Sequence, residues 1–157
     1  MIKIEGGGYR HPSSIETIKE KVVDEHGNIR SDEQGSMNGG DVFSFVLANI
    51  PKDIKQTLEQ SSVGKDMIDH FVFHQANDFM NKYIIKKLKL PNEKVPSTIA
   101  KYGNTSSVSV PLTIVSELKN KLNDKKTLLL SSFGVGMSWS TAIVPFVDCL
   151  ISDIVEV

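Results

Sequence analysis

A single cysteine, Cys149, serves the whole chain of 157 residues. That excludes an internal disulfide and a CxxC metal framework. No apolar run approaches the roughly 20 residues that a membrane-spanning helix needs. The opening MIKIEGGGYR has no apolar core of the kind a signal peptide carries. Neither sign of charge is in excess: the net charge is −1 with 24% charged residues, so no global basic field exists to attract nucleic acid. Together these absences point to a soluble protein in a reducing, cytoplasmic setting. No membrane span, nucleic-acid partner, metal or other cofactor is expected.

The length suits one domain over residues 1–157, and 39% hydrophobic residues is enough for a packed core. Residues 1–5 alternate weakly, as a short strand does. Residues 10–40 form a polar, glycine-rich surface excursion, and residues 147–157 form a tail. Asp41 is placed to cap a helix that carries Val42, Phe43, Phe45, Val46, Ile50, Ile54 and Leu58 at helical spacing. Pro51 falls inside that pattern, either kinking one helix or opening a second.

MIDHFVF (67–73) reads as a short strand, followed by a helix starting at Asn77 or Asp78 and stopped by Pro91. A short helix is expected over Val95–Tyr102, then the turn GNTSS, then a helix through Val108–Leu122 with Pro111 in its first turn. TLLLSSF (127–133) is nearly all apolar, as in a central strand buried on both faces, and WSTAIVPFV (139–147) is a final strand. The order helix, strand, helix, helix, strand, strand is that of an α/β fold with a mixed sheet covered by helices.

The chemistry gathers at FVFHQAN (71–77), where a buried strand runs into His74, Gln75 and Asn77. Strand tips are where open α/β sheets present reactive groups. A lone His there is commonly a hydrogen-bonded structural residue. His70 shares its face by alternation, so a two-histidine metal site is conceivable, but no cysteine or ligand spacing supports it. Asn104 in YGNTSS reads equally as a turn residue or cap. GVGMSW (134–139) is a glycine turn without GxGxxG or P-loop spacing. The combination is more informative than any part. A His and an Asn can donate two hydrogen bonds to one carbonyl oxygen and stabilise an enolate or oxyanion in a dry site, and a loop N–H can add another. Such machinery stabilises charge but attacks nothing.

HQAN (74–77), GNTSS (103–107), FGVGMSW (133–139) and MNGGDVF (37–43), in this order, resemble the C-terminal half of β-ketoacyl-acyl carrier protein synthase III, in the thiolase-like superfamily. The resemblance covers residues 37–146. It implies one half of a thiolase-like fold and an acyltransferase that performs decarboxylative Claisen condensation of an acyl thioester with malonyl-acyl carrier protein, in fatty acid or related biosynthesis. The family uses a Cys-His-Asn triad. By resemblance, His74 and Asn104 are the His and the Asn. Gly134, Val135 and Gly136 supply an oxyanion loop, and Asn77, Phe43 and Gly39 line the substrate channel. Acyl carrier protein and CoA thioesters are the implied partners and substrates, with no cofactor.

The nucleophile has no counterpart here. The family carries it in the N-terminal half, and Cys149 lies in an acidic tail, FVDCLISD, unsuited to a low thiol pKa. The chain therefore reads as a second half that is inactive alone, needing a Cys-bearing half in the same or another chain. As a lone half it is expected to expose apolar surface and to form a dimer. Two positions depart from the family pattern. Val135 replaces the middle glycine of its GGG loop, and Asp78-Phe79 stand where an apolar-Arg pair is common, which bears on carrier docking. Two other readings fit the same motifs: a thiolase-fold acyltransferase to an alcohol or amine with His74 as general base, and a non-catalytic heterodimer partner.

Overall fold

The computed structural model describes residues 2–155 except 20, 22 and 24–26. The chain divides into two compact units, Met1–Val42 with Val135–Met137, and Phe43–Gly134 with Ser138–Val157.

In the first unit, strand β1 (Ile2–Lys3) pairs antiparallel with β2 (Ser36–Met37), Ile2 opposite Met37. Between them lies the expected polar excursion. Its residues 20, 22 and 24–26 fall outside the described set. The described part holds one regular element, helix α1 (Ile15–Ile18), whose start is fixed by a capping box: Thr17 N–H donates to Ser14 Oγ and Ser14 N–H to Thr17 Oγ1.

Helix α2 (Gly39–Ser61) begins earlier than expected. Its cap is Asn38 rather than Asp41: Asn38 Oδ1 accepts the Asp41 N–H at 3.1 Å, three residues on. Asn and Asp cap equally well, so the choice falls to the residue at the chain reversal. Asp41 instead places its charge in the first turn, where the helix dipole favours it. Pro51 lies within this one helix, and opens no second. Val46, Ile50 and Ile54, four residues apart, are its buried stripe.

In the second unit, β3 (His70–Phe73), β4 (Lys126–Gly134) and β5 (Ser138–Phe146) form a sheet in the order β3-β4-β5. β3 is parallel to β4, and β5 is antiparallel to it, giving the mixed sheet. β3 is shorter than the expected 67–73 because Lys65–Met67 close a 3₁₀ turn after Gly64. Helix α3 (Asp78–Leu88) starts at the Asn77 cap and ends at Lys89 in the left-handed conformation. Helix α4 spans only Ile99–Tyr102, not 95–102. Pro96 disfavours the helical conformation at Val95, which shortens it. Helix α5 (Ser109–Thr113) continues as a π turn over Ile114–Leu118 and a 3₁₀ turn over Lys119–Lys121, so the expected 108–122 helix is present in three geometries.

Side-chain alternation sets two faces on the sheet. Val72 and Leu128 pack with Ile114, Leu118 and Leu122 into one buried cluster, with Leu130, Val110 and Phe146 at its margin. Tail residue Ile151 packs on the same cluster, and Asp153 pairs with Lys119. On the other face, Phe71, Phe73 and Leu129 are almost fully buried. Central position, burial on both faces and nine residues make β4 the rigid platform for what lies at its end.

Candidate active site

His74 follows the last residue of β3. Its N–H donates to Ser131 O at 2.9 Å, which extends the β3–β4 ladder by one bond and fixes the backbone under the imidazole. Asn81 of α3 donates from Nδ2 to His74 O at 3.3 Å. The His74 ring is 8% exposed and meets the Phe133 ring edge-on, centroids 5.1 Å apart at 80°. Its Nδ1 lies 2.6 Å from Ser109 Oγ, at the start of α5. Its Nε2 makes no hydrogen bond with a described residue and is the nitrogen left for a ligand.

The two amides beside it are structural. Gln75 is buried, donating from Nε2 to Phe73 O at 2.8 Å and accepting at Oε1 from Ser97 Oγ and Thr98 N–H, each at 3.1 Å. Asn77 Oδ1 accepts the Phe79 and Met80 N–H groups at 2.8 and 3.4 Å and caps α3. So Gln75 and the Asn77 oxygen are spent on local structure, while His74 keeps Nε2 and Asn77 keeps Nδ2.

A closed, buried circuit holds His74 in place. Thr98, whose N–H is tied to Gln75, meets Thr113 with Oγ1 atoms 2.9 Å apart. Thr113 Oγ1 donates to Ser109 O at 2.7 Å, and Ser109 Oγ meets His74 Nδ1, one residue from Gln75. Thr113 spends its one hydroxyl hydrogen on Ser109 O, so Thr98 is the donor between the threonines. Sequence reading missed Thr98, Ser109 and Thr113. Thr98 and Ser109, at helix starts, look like caps and Thr113 looks like any helical threonine, and only the fold closes their circuit.

Asn104 sits on the loop that leads into α5, five residues before Ser109. A 3₁₀ turn over Ser106–Val108 joins this loop to Ser109, the residue bonded to His74. Its Oδ1 accepts the Ser106 N–H at 2.9 Å. That leaves the Nδ2 hydrogens as its outward groups, and the residue is exposed. Gly103 before it has φ +66°, a turn that a side chain would strain.

Gly134 ends β4 immediately after Phe133 and pairs with Ser138. Val135 and Gly136 belong to the first unit; Val135 is exposed and Gly136 has φ +136°. Gly39 lies in the first turn of α2 in the same unit. Phe43 packs its ring on Phe79, centroids 5.6 Å apart. Phe79 is 62% exposed, so the second residue after the α3 cap presents an apolar ring, while Asp78 pairs with Lys82 on the same helix at 2.5 Å. Cys149 is exposed in the tail, its Sγ directed at Val147 O.

Burial holds the His74 pKa below its ordinary 6.5. His70, at the opposite end of β3, is lowered by burial and by the cations of Lys121, Lys126 and Lys94, partly offset by Asp69. Both rings are therefore neutral at pH 7. Among the described residues, no group of three or more His, Cys, Asp or Glu side chains comes together as a metal site would need.

The two histidines give a pH prediction. Their folded-state pKa values lie below the ordinary 6.5, so the unfolded chain takes up protons first as pH falls. Stability is complete above about pH 6.5 and declines below it. The urea midpoint is expected to be flat from about pH 8 to 7 and to drop between about pH 6.5 and 5, before carboxylates begin to titrate. A midpoint constant across that lower window would contradict burial of neutral rings.

Residues 58–146 match the family described as 3-oxoacyl-[acyl-carrier-protein (ACP)] synthase III C terminal. The chain belongs to that family. It is 39% identical over 112 residues to β-ketoacyl-[acyl-carrier-protein] synthase III of Streptococcus gordonii, covering 69% of this chain and 35% of that one. The counterpart in Acaryochloris marina is 40% identical over 109 residues, covering 69% and 33%. Among solved structures, a 3-oxoacyl-(acyl-carrier-protein) synthase III superposes with TM-score 0.84 at 37% identity, covering 91% of this chain and 42% of that one. The 3-oxoacyl-(acyl-carrier protein) synthase of Burkholderia xenovorans LB400 gives 0.77 at 38%, covering 97% and 45%.

The chain thus spans about a third of the length of the curated synthases it matches. The fold is the mixed α/β half of the thiolase-like synthase, and the chain is a condensing-enzyme C-terminal domain. The matched residues contain His74, Asn104 and the Gly134–Gly136 loop, and stop where the tail begins. Among the described residues, no helix is long and apolar enough to cross a membrane.

Proposed function

We propose that this chain is the His- and Asn-bearing half of a synthase III-like enzyme that condenses an acyl thioester with malonyl-acyl carrier protein. What supports the reading is that each of the two motif residues keeps a nitrogen that no described residue engages. His74 leaves Nε2 free at the end of a rigid strand, and Asn104, with Oδ1 already satisfied by Ser106, leaves Nδ2. Two N–H groups suit one oxygen that gains negative charge.

In this reading the malonyl thioester carbonyl accepts from His74 and Asn104. The bond to the terminal carboxylate breaks and carbon dioxide leaves. Its electron pair becomes the enolate, whose charge the two donors hold. The enolate carbon then attacks an acyl group carried as a thioester on the cysteine of the partner half. The new carbon–carbon bond forms and the cysteine thiolate departs. The Gly134–Gly136 loop as acyl-enzyme oxyanion hole, and Gly39, Phe43 and Asn77 as channel lining, take those roles from the motifs alone. Asn77 keeps only its Nδ2 for that role, because Oδ1 caps α3. The Phe79 ring in place of a cation implies a carrier contact at this point that is apolar rather than ionic.

The partners of this reading are acyl carrier protein, CoA thioesters and a Cys-bearing N-terminal half, or a second copy in its absence. No cofactor enters. The test is reconstitution. The chain alone is expected to form no 3-oxoacyl product. With the Cys-bearing half it is expected to release carbon dioxide and form product only when a malonyl thioester is supplied. Acyl transfer to an alcohol or amine without malonyl donor would instead establish the acyltransferase reading.

A further inference from the structure

The bond between His74 Nδ1 and Ser109 Oγ, 2.6 Å long, can be shared in two ways. With the proton on Nδ1, the ring donates to Ser109 and Nε2 is a bare lone pair, so His74 is a base. With the hydroxyl donating, Nδ1 accepts, the ring proton sits on Nε2, and His74 is a donor.

The surroundings choose between them. Ser109 is 1% exposed, so its hydroxyl hydrogen has no access to bulk water. No other described residue accepts from Ser109 Oγ. A proton on Nδ1 would leave that buried hydroxyl hydrogen without an acceptor, whereas a bare Nδ1 satisfies it. Ser109 does not depend on His74 for its place. Its carbonyl is held by Thr113 Oγ1, and Thr113 is held by Thr98. Phe133 fixes the plane of the ring against rotation.

We propose that Ser109 is a positioning residue that holds His74 as its Nε2–H tautomer, so that the imidazole meets substrate as a hydrogen-bond donor. This deepens the carbonyl-binding reading of His74 and rests on it for its catalytic consequence. It also gives the His–Asn pair a matched polarity: Ser109 sets the imidazole as donor, and Ser106 sets the Asn104 amide as donor by occupying Oδ1. Two residues of the GNTSSVS segment thus prepare both donors.

Nitrogen-15 NMR of the imidazole, recorded on this chain at neutral pH, reads which ring nitrogen carries the proton. The expected result is Nε2–H in the unaltered chain, a shift toward Nδ1–H or a mixture in Ser109→Ala, and recovery of Nε2–H in Ser109→Thr, which restores the hydroxyl. With the Cys-bearing half present, Ser109→Ala is expected to lower kcat roughly 10- to 100-fold with little change in the KM for the malonyl donor, as for other partners that orient a reacting group. Ser109→Thr is expected to regain most of that loss. The proposal is overturned if the unaltered chain carries its proton on Nδ1, a result that needs no variant to fold. It is also overturned if Ser109→Ala, checked for an unchanged backbone spectrum, keeps Nε2–H and full turnover. If the tautomer follows Ser109 while His74→Ala leaves turnover intact, the orienting role stands and the carbonyl-binding reading of His74 is what fails.

Discussion

With His74 replaced by Ala, the proposed condensation by this chain and a Cys-bearing half is expected to run roughly 100- to 1,000-fold more slowly, the usual cost of one donor to an oxyanion. The loss falls on kcat more than on KM, because the bond strengthens as charge develops on the oxygen rather than when substrate first binds. Asn104→Ala belongs to the same class. In the proposed reaction both donors serve one oxygen, so the double variant is expected to lose less than the product of the single losses. Decarboxylation of a malonyl thioester, followed as carbon dioxide release, checks this step separately from the acyl-transfer step on the cysteine. Unchanged turnover in His74→Ala would leave the non-catalytic partner as the surviving reading.

The second large effect is on stability. Phe71 is fully buried in β3, directly opposite Leu129 of the central strand. Phe71→Ala removes a ring that neighbouring β-sheet backbone cannot collapse to replace, at a cost of about 3–5 kcal/mol. Typical domains have only about 5–15 kcal/mol in total, so the variant sits near its unfolding threshold at room temperature. Urea unfolding should show a much lower midpoint with an unchanged slope. Phe79→Ala is the control. That ring is mostly exposed, with Phe43 as its ring contact, and the change is expected to stay within about 0.5 kcal/mol. Equal costs at the two positions would contradict the assignment of inside and outside at this end of the sheet.

The elements that sequence reading placed well are those with strong periodicity. α2 carries apolar residues at fourfold spacing, and β4 is a continuous apolar run, so burial by itself dictates helix in one and central strand in the other. The errors lie where local alternatives are nearly equal in energy. Asn38 and Asp41 are both competent caps, and which one closes the helix depends on where the chain arrives from β2. The expected 108–122 helix has the right apolar spacing, yet its middle widens to a π turn, a geometry that periodicity does not register.

The site divides in the same way. The residue types and order of HQAN, GNTSS and FGVGMSW carry the resemblance that singles out His74 and Asn104, while each residue read by its neighbours alone is equally a structural histidine or a turn asparagine. Within HQAN, residue order does not separate the side chain with an unengaged ring nitrogen from the amides used by the scaffold. Gln75 and Asn77 are spent on the 97–98 segment and on the α3 cap, partners 22 residues away in one case and two in the other.

Sequence alone determined the secondary elements with strong apolar periodicity, since these follow from residue type and local spacing, and its motifs carried the resemblance that proposes His74 and Asn104 as donors. Tertiary structure alone decided which nitrogen of His74 is free. That depends on Ser109, 35 residues later, being carried to Nδ1 by a helix whose own start is held by Thr98 and Thr113. A hydrogen bond between residues so far apart in the chain exists only once the sheet and helix have packed, because packing is what brings the two side chains together and excludes the water that would otherwise satisfy both.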